Sequence, residues 1–304
     1  MKRTLVAVFA TLTLACLPPS AWPQDWVKQY PEVTFGVTGG ENQQDAITRW
    51  QPACDYLSEQ LRIKFKLRTA SDYAGIIEAM GAGKVEFAWY GGAGYAAAYD
   101  ITGGNVEALA MDVSSQGNLG YHSVIVVKGD SPFQKLEDLR GKSLAFADPN
   151  STSGYMVPST LLAQQGLLDR AKPFFSTVGF SGSHENGVIA VINGTYDAAA
   201  TWAYDGNEGN LQSIVTKGMI KPDAVRIIWR SPLIPNSPFS AVKSLPDGLK
   251  QAFKQALLDF HKKDPARFAQ VTKGMFGGFA PAKHEQYQYA IDIREAQKKE
   301  RRRQ

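Results

Sequence analysis

Residues 143–166, SLAFADPNSTSGYMVPSTLLAQQG, carry the reading on which the fold rests. Ser143–Phe146 is a short apolar strand, and Met156–Gln165 reads as a helix that stops at Gly166, a residue suited to helix ends. Between them lies Asp148-Pro149-Asn150-Ser151-Thr152-Ser153-Gly154-Tyr155, a turn of small and hydroxyl residues at the helix start. A strand feeding a helix through such a turn is the half-unit of an α/β sheet. In open α/β sheets, ligands sit beyond the carboxyl ends of strands.

The same alternation extends to both sides. Upstream, Val33–Val37, Ile63–Leu67, Phe87–Trp89, Val106–Met111 and Ser123–Val127 read as strands. Helical spacing covers Asp45–Gln60, through Ile47, Trp50, Cys54, Leu57 and Leu61, and also Tyr73–Ala82. After a short helix at Leu136–Leu139 the pattern restarts. Phe174–Phe180, Ala198–Trp202 and Val225–Trp229 are strands, and Asn186–Asn193 is a helix. The end is helical over Leu249–Lys262, Ala266–Thr272 and His284–Gln297. Two such series predict two α/β lobes with largely parallel sheets.

Four strand-to-helix junctions draw attention: Thr38–Asn42, Tyr90–Tyr95, Asp148–Tyr155 and Ser181–Asn186. Free backbone N–H groups and the helix dipole make such ends ready anion sites. Ser151, Thr152 and Ser153 add hydroxyl donors, and His184 adds an imidazole. Plain N-capping accounts for any one junction; four together, with His184, point to an oxyanion. Asp205, in Thr201-Trp202-Ala203-Tyr204-Asp205-Gly206, is expected to accept a hydrogen bond from a protonated ligand oxygen and so to disfavour sulfate. Tyr73, Trp89, Tyr90, Tyr95, Tyr121 and Tyr155 fall near loops and can wall a small ligand.

Composition bounds the remaining choices. Of 304 residues, 44% are hydrophobic and 20% charged, which suits a globular chain with two ordinary lobes. The net charge of +4 is inflated by Lys298, Lys299, Arg301, Arg302 and Arg303, a run without interleaved aromatics, so nucleic acid is set aside. Lys2 and Arg3 followed by apolar Leu5–Leu17 read as an export signal over 1–21, too short to span a bilayer. Processing is expected either near Ala21 or at a lipid-bearing Cys16. Cys54 is then alone, so no disulfide is expected, and it reads as core. The chain lacks G-x-S-x-G, GxGxxG and Walker patterns, and its four histidines lack metal-ligand spacing. No cofactor, metal or catalytic activity is therefore expected.

At Ser151-Thr152-Ser153-Gly154-Tyr155, Gly182-Ser183-His184-Glu185 and Ser231-Pro232-Leu233-Ile234-Pro235 the chain closely resembles the phosphonate- and phosphite-binding family of ABC-importer receptors. Lys135-Leu136-Glu137-Asp138-Leu139-Arg140-Gly141-Lys142 adds a loop common in such receptors, and the likeness runs from about Val33 to Gln297. The resemblance implies an α/β, two-lobed clamshell of the type II periplasmic-binding class. Lobe one would be 31–122 plus 239–304 and lobe two 123–238, hinged near Tyr121-His122-Ser123 and Pro235–Phe239. It implies a monomeric periplasmic protein, soluble or anchored through Cys16, that serves a permease in the inner membrane. The family's phosphorus contacts map onto Ser151, Thr152, Ser153 and His184, its cleft tyrosines onto Tyr73 and Tyr121, and its acidic residue onto Asp205. Some aminoalkylphosphonate binders carry aspartate where this chain has Ser237. With Trp89, Tyr90, Trp202 and Tyr204 expected to narrow the cleft, the resemblance favours phosphite, hypophosphite or methylphosphonate over 2-aminoethylphosphonate. Receptors for other oxyanions, and enzymes of pyrimidine synthesis or the thiamine pathway built on the same fold, are the alternatives.

Overall fold

A computed structural model describes residues 26–169, 171–205 and 209–302. The export-signal expectation over 1–21, with Cys16, lies outside those residues. Along the described chain α1 (Trp26–Gln29) precedes β1 (Glu32–Val37), α2 (Gln43–Leu61), β2 (Lys64–Thr69), α3 (Ala74–Gly81), β3 (Phe87–Trp89), α4 (Gly92–Ile101) and β4 (Val106–Ser114). Then come β5 (Gly120–Lys128), β6 (Ser143–Phe146), α5 (Val157–Gln164), β7 (Thr177–Phe180), α6 (His184–Ile192), β8 (Ala198–Ala203), α7 (Asn210–Thr216) and β9 (Val225–Arg230). Last are β10 (Ile234–Pro235), β11 (Pro238–Val242), α8 (Asp247–Lys263), α9 (Pro265–Thr272), β12 (Phe276–Pro281) and α10 (Gln288–Arg301).

The strands form two sheets. The first has the order β12-β4-β11-β3-β1-β2, and the second β10-β5-β8-β6-β7, with β9 also paired to β5. The two sheets make the two lobes of the clamshell. Parallel pairing holds for β1–β2, β1–β3, β6–β7 and β6–β8, where helices return the chain. The remaining pairs are antiparallel, which corrects the expectation of largely parallel sheets. The difference comes from the strands that carry the chain between sheets, β4, β5, β10 and β11. The chain that crosses on β4 and β5 comes back on β10 and β11, so each returning strand lies antiparallel to the one that left, β10 to β5 and β11 to β4.

Each lobe has its own core. On the first sheet Phe35, Phe87 and Phe239 pack with Trp50 of α2 and Phe253 of α8. The α2 helix begins where Asn42 accepts from the Asp45 N–H at 3.0 Å, and it ends at left-handed Arg62. In the second lobe β5 buries both faces: Ile125 and Val127 join Leu144, Phe146 and Leu162, while Val124 and Val126 join Val188 and Ala199. That two-sided burial explains the continuous apolar run of the strand. Cys54 is a buried free thiol in the first core, as expected, and burial pushes it up to about 12, which leaves it an inert hydrophobe.

The chain leaves the first sheet at Ser114, joins the second at Gly120, and returns between Pro235 and Pro238. The first crossing thus lies a few residues ahead of the expected Tyr121–Ser123. Asn236 ties the crossings together. Its N–H donates to Leu119 O at 3.1 Å, and its Nδ2 donates to Asp112 O at 2.8 Å and Asn118 O at 3.0 Å.

Candidate functional site

At the carboxyl end of β6 the chain turns through Asp148 into Ser151. The Asp148 carboxylate accepts from the Asn150 N–H at 2.7 Å, and its carbonyl accepts from the Ser151 N–H at 2.9 Å. Ser151 then caps the next turn, its Oγ accepting from the Gly154 N–H at 3.1 Å. Thr152–Met156 form a single π-helical turn, wider than an α turn and a frequent mark of functional sites. The widening places Ser151, Thr152 and Ser153, all buried, along one cavity of about 100 Å³ between the lobes.

His184 opens α6 directly beside this turn, with Nε2 3.2 Å from Ser151 Oγ and Nδ1 3.3 Å from Thr201 Oγ1. Burial lowers His184 to about 4, so the ring is neutral at pH 7. Thr201, fully buried, already accepts from Asn210 Nδ2 at 2.9 Å. The tautomer in which Thr201 gives its own proton to His184 Nδ1 makes Nδ1 the acceptor and Nε2–H a donor toward Ser151. In that tautomer Ser151 Oγ accepts from Gly154 N–H and His184 Nε2–H, and its own proton points toward the Tyr73 hydroxyl or a ligand oxygen.

The first lobe covers this arrangement. The Ala93 N–H of α4 donates to Thr152 Oγ1 at 2.8 Å. A Cβ on Gly91 would lie 2.6 Å from the same oxygen, so a side chain there would displace the Thr152 hydroxyl. The hydroxyl of Tyr73 meets Ser151, and that of Tyr121 meets Thr152 and Ser153. On the far wall Asp112 of β4 is buried. Its Oδ1 accepts from Trp89 Nε1 at 3.2 Å and its Oδ2 from the Tyr204 hydroxyl of the other lobe at 3.2 Å. Burial pushes Asp112 up to about 6.

Eight of the sequence-derived candidates therefore line one cavity: Ser151, Thr152, Ser153, His184, Tyr73, Tyr121, Trp89 and Tyr204. Asp205 and Tyr90 do not. Asp205 is solvent-exposed, 3.4 Å from His122 Nε2, because Tyr204 turns into the cavity and its neighbour faces out. Tyr90 follows Trp89 on β3 and points to the opposite face, its hydroxyl 3.6 Å from Met80 Sδ, so it does not narrow the cleft. Sequence reasoning missed Asp112 and also Arg49, Trp50 and Asn210. The α2 spacing had assigned Trp50 to the core, and nothing in the strand pattern of β4 singled out Asp112.

Charges ring the mouth. Lys217, just after α7, reaches Asp45 at 2.7 Å and Glu41 at 3.3 Å in the first lobe, and pairs also with Glu185 in the second. These three carboxylates lie close enough to suggest a metal site, but the ammonium already sits among them. The buried Glu185 would lose its cation in Lys217→Met, so that variant is expected to lose about 2 kcal/mol in urea unfolding. An unchanged unfolding midpoint would mean that the cluster contributes nothing to stability.

Comparison with known proteins bears on the family and the fold. Residues 35–287 match the family described as ABC transporter, phosphonate, periplasmic substrate-binding protein. The chain is 33% identical over 266 residues to the phosphonates-binding periplasmic protein of Escherichia coli K12, covering 86% of this chain and 76% of that one. It superposes on a crystal structure of a binding-protein component of an ABC phosphonate transporter from Pseudomonas aeruginosa. There the TM-score is 0.76 at 28% identity, over 87% of this chain and 85% of the other. PhnD1 of Prochlorococcus marinus in complex with methylphosphonate shares the fold, with a TM-score of 0.77 at 21% identity over 88% and 99% of the two chains.

Proposed function

Because this chain belongs to the periplasmic phosphonate-binding family of ABC-transporter substrate-binding proteins, we propose that it captures a small organophosphonate between its lobes and delivers it to an inner-membrane permease. Its relatives are substrate-binding proteins rather than enzymes, and it shares that role. The observation that carries the ligand class is the cradle at the β6 end: three buried hydroxyl residues and a neutral Nε2–H donor on one cavity wall.

In this reading the ligand enters between open lobes, 31–114 plus 238–302 on one side and 120–235 on the other, and bending near 115–119 and 236–237 closes them. Phosphorus oxygens accept from the Ser151, Thr152 and Ser153 hydroxyls, and His184 Nε2–H, donating to Ser151 Oγ, aims that hydroxyl at them. Tyr73 and Tyr121 cover the ligand from the first lobe. Asp112 takes the acceptor role expected of Asp205 and receives a ligand P–OH. The cavity also bears on ligand size. About 100 Å³ exceeds the 10–15 Å³ that one water needs by several-fold, which leaves room for a phosphorus oxyanion with a short substituent. The protein works in the periplasm, whether free or held through Cys16.

Titration calorimetry with phosphite, hypophosphite, methylphosphonate, 2-aminoethylphosphonate, phosphate and sulfate tests this reading. An organophosphonate is expected to bind at least about tenfold tighter than sulfate. Ser151→Ala and His184→Ala are each expected to cost about 10- to 100-fold, the worth of a charge-assisted hydrogen bond. Absence of heat with every phosphorus ligand would sink it.

A further inference from the structure

The cavity holds more hydrogen-bond donors than the phosphorus cradle accounts for. Arg49 of α2 lines it from the first lobe, opposite Ser151. Its Nε donates to Val271 O at 2.7 Å and its Nη1 to Glu41 at 3.1 Å, while Nη2 is buried without a partner among the described residues. The adjacent Trp50 lines the same cavity, and its Nε1 is also buried and unpartnered. The guanidinium carbon lies 5.1 Å from the Trp50 ring centroid, with the Trp89 and Phe276 rings at 5.8 and 5.6 Å, so the two side chains share one aromatic-walled corner. Buried donors on a cation and an indole are costly to leave unmatched, and native chains seldom do so.

The acceptors nearby are already engaged. Glu41 and Glu185 hold Arg49 and Lys217, and Asp112, which accepts from Trp89 and Tyr204, has its remaining acceptor capacity taken by the P–OH of the phosphorus end. The unmet need in this corner is for acceptor oxygens, not for an ammonium. A carboxylate supplies two oxygens and suits a guanidinium. We propose that the physiological ligand is a phosphonocarboxylate, with its phosphorus end in the Ser151–His184 cradle of one lobe and its carboxylate accepting from Arg49 Nη2 and Trp50 Nε1 of the other. The inference rests on the phosphonate-receptor reading above. It gives the ligand a grip on both lobes, so that binding draws them together.

Calorimetry with phosphonoacetate as the probe, against methylphosphonate and 2-aminoethylphosphonate, tests it. The wild-type protein is expected to prefer phosphonoacetate to methylphosphonate by about tenfold or more. Arg49→Lys keeps the positive charge and the stem but removes Nη2, and this preference is expected to fall below about threefold. Wild-type binding of phosphonoacetate no tighter than methylphosphonate overturns the proposal, and that comparison needs no variant to fold. A preference that survives intact in Arg49→Lys overturns it too. If methylphosphonate binds and phosphonoacetate does not, the carboxylate corner alone is wrong; if no phosphorus ligand binds, the receptor reading fails and the corner with it.

Discussion

Gly154→Ala is expected to abolish ligand capture, with affinity falling at least about 100-fold, while the two lobes remain folded. A Cβ at this position would lie 2.4 Å from Ala147 Cβ, 2.7 Å from Ser151 Oγ and 2.9 Å from His184 Cε1. The Ala147 methyl is fixed to the end of β6 and cannot rotate away. The π turn itself must move, and with it the Ser151 hydroxyl and the Ser151–His184 contact. Overpacking of this kind costs typically 1–3 kcal/mol of stability, which a lobe with its own core can absorb. The loss of binding is larger because two or three charge-assisted hydrogen bonds depend on one geometry. Thermal unfolding and calorimetry on the same sample separate the two effects. Near-native affinity in a folded Gly154→Ala would show that the cradle does not rest on this turn.

The part of the site readable in the sequence is the part made by a local motif. Residues 148–155 place small and hydroxyl side chains between a strand and a helix, and that arrangement needs no knowledge of the other lobe. Asp112, Arg49 and Trp50 sit inside β4 and α2, where position in a regular element says nothing about what crosses from the facing lobe. Asp205 misled for a related reason. The turn after β8 offers two adjacent side chains, and which one enters the cavity depends on the twist at its end; Tyr204 does. Among the elements, α4 shows only its start in the sequence, at the Tyr90–Tyr95 junction; its span is hidden because Gly92–Ala98 are all buried and no polar face alternates with an apolar one. The glycines and terminal proline of Phe276–Pro281 hid β12 in the same way. The Phe174–Phe180 run read as one strand, but Phe174 and Phe175 pack into the core before β7 begins at Thr177.

Between pH 7 and pH 4, His184→Asn and Asp112→Asn are expected to change stability relative to the unmutated protein in opposite directions, by roughly 3 kcal/mol each. Burial lowers His184 from 6.5 to about 4. The unfolded chain takes up that proton first, so the stability contributed by the neutral ring is complete above 6.5 and is lost as pH falls toward 4. Asp112 runs the other way, raised from 3.8 to about 6 by the same burial. Here the folded chain takes up the proton first. Its ionisation therefore costs stability at neutral pH, and the cost is relieved as pH falls from about 6 to 4. In the unmutated protein the two contributions largely cancel over this window; each single variant exposes the other. Against the unmutated protein, His184→Asn gains on acidification and Asp112→Asn loses, read from urea unfolding at pH 7, 5.5 and 4. If both differences stay flat, water reaches the two groups and the cavity is not dry. If they diverge, the imidazole is a neutral donor throughout the range in which the receptor works. Selection between oxyanions then lies with hydrogen-bond direction and with the protonation of Asp112, not with a cationic histidine.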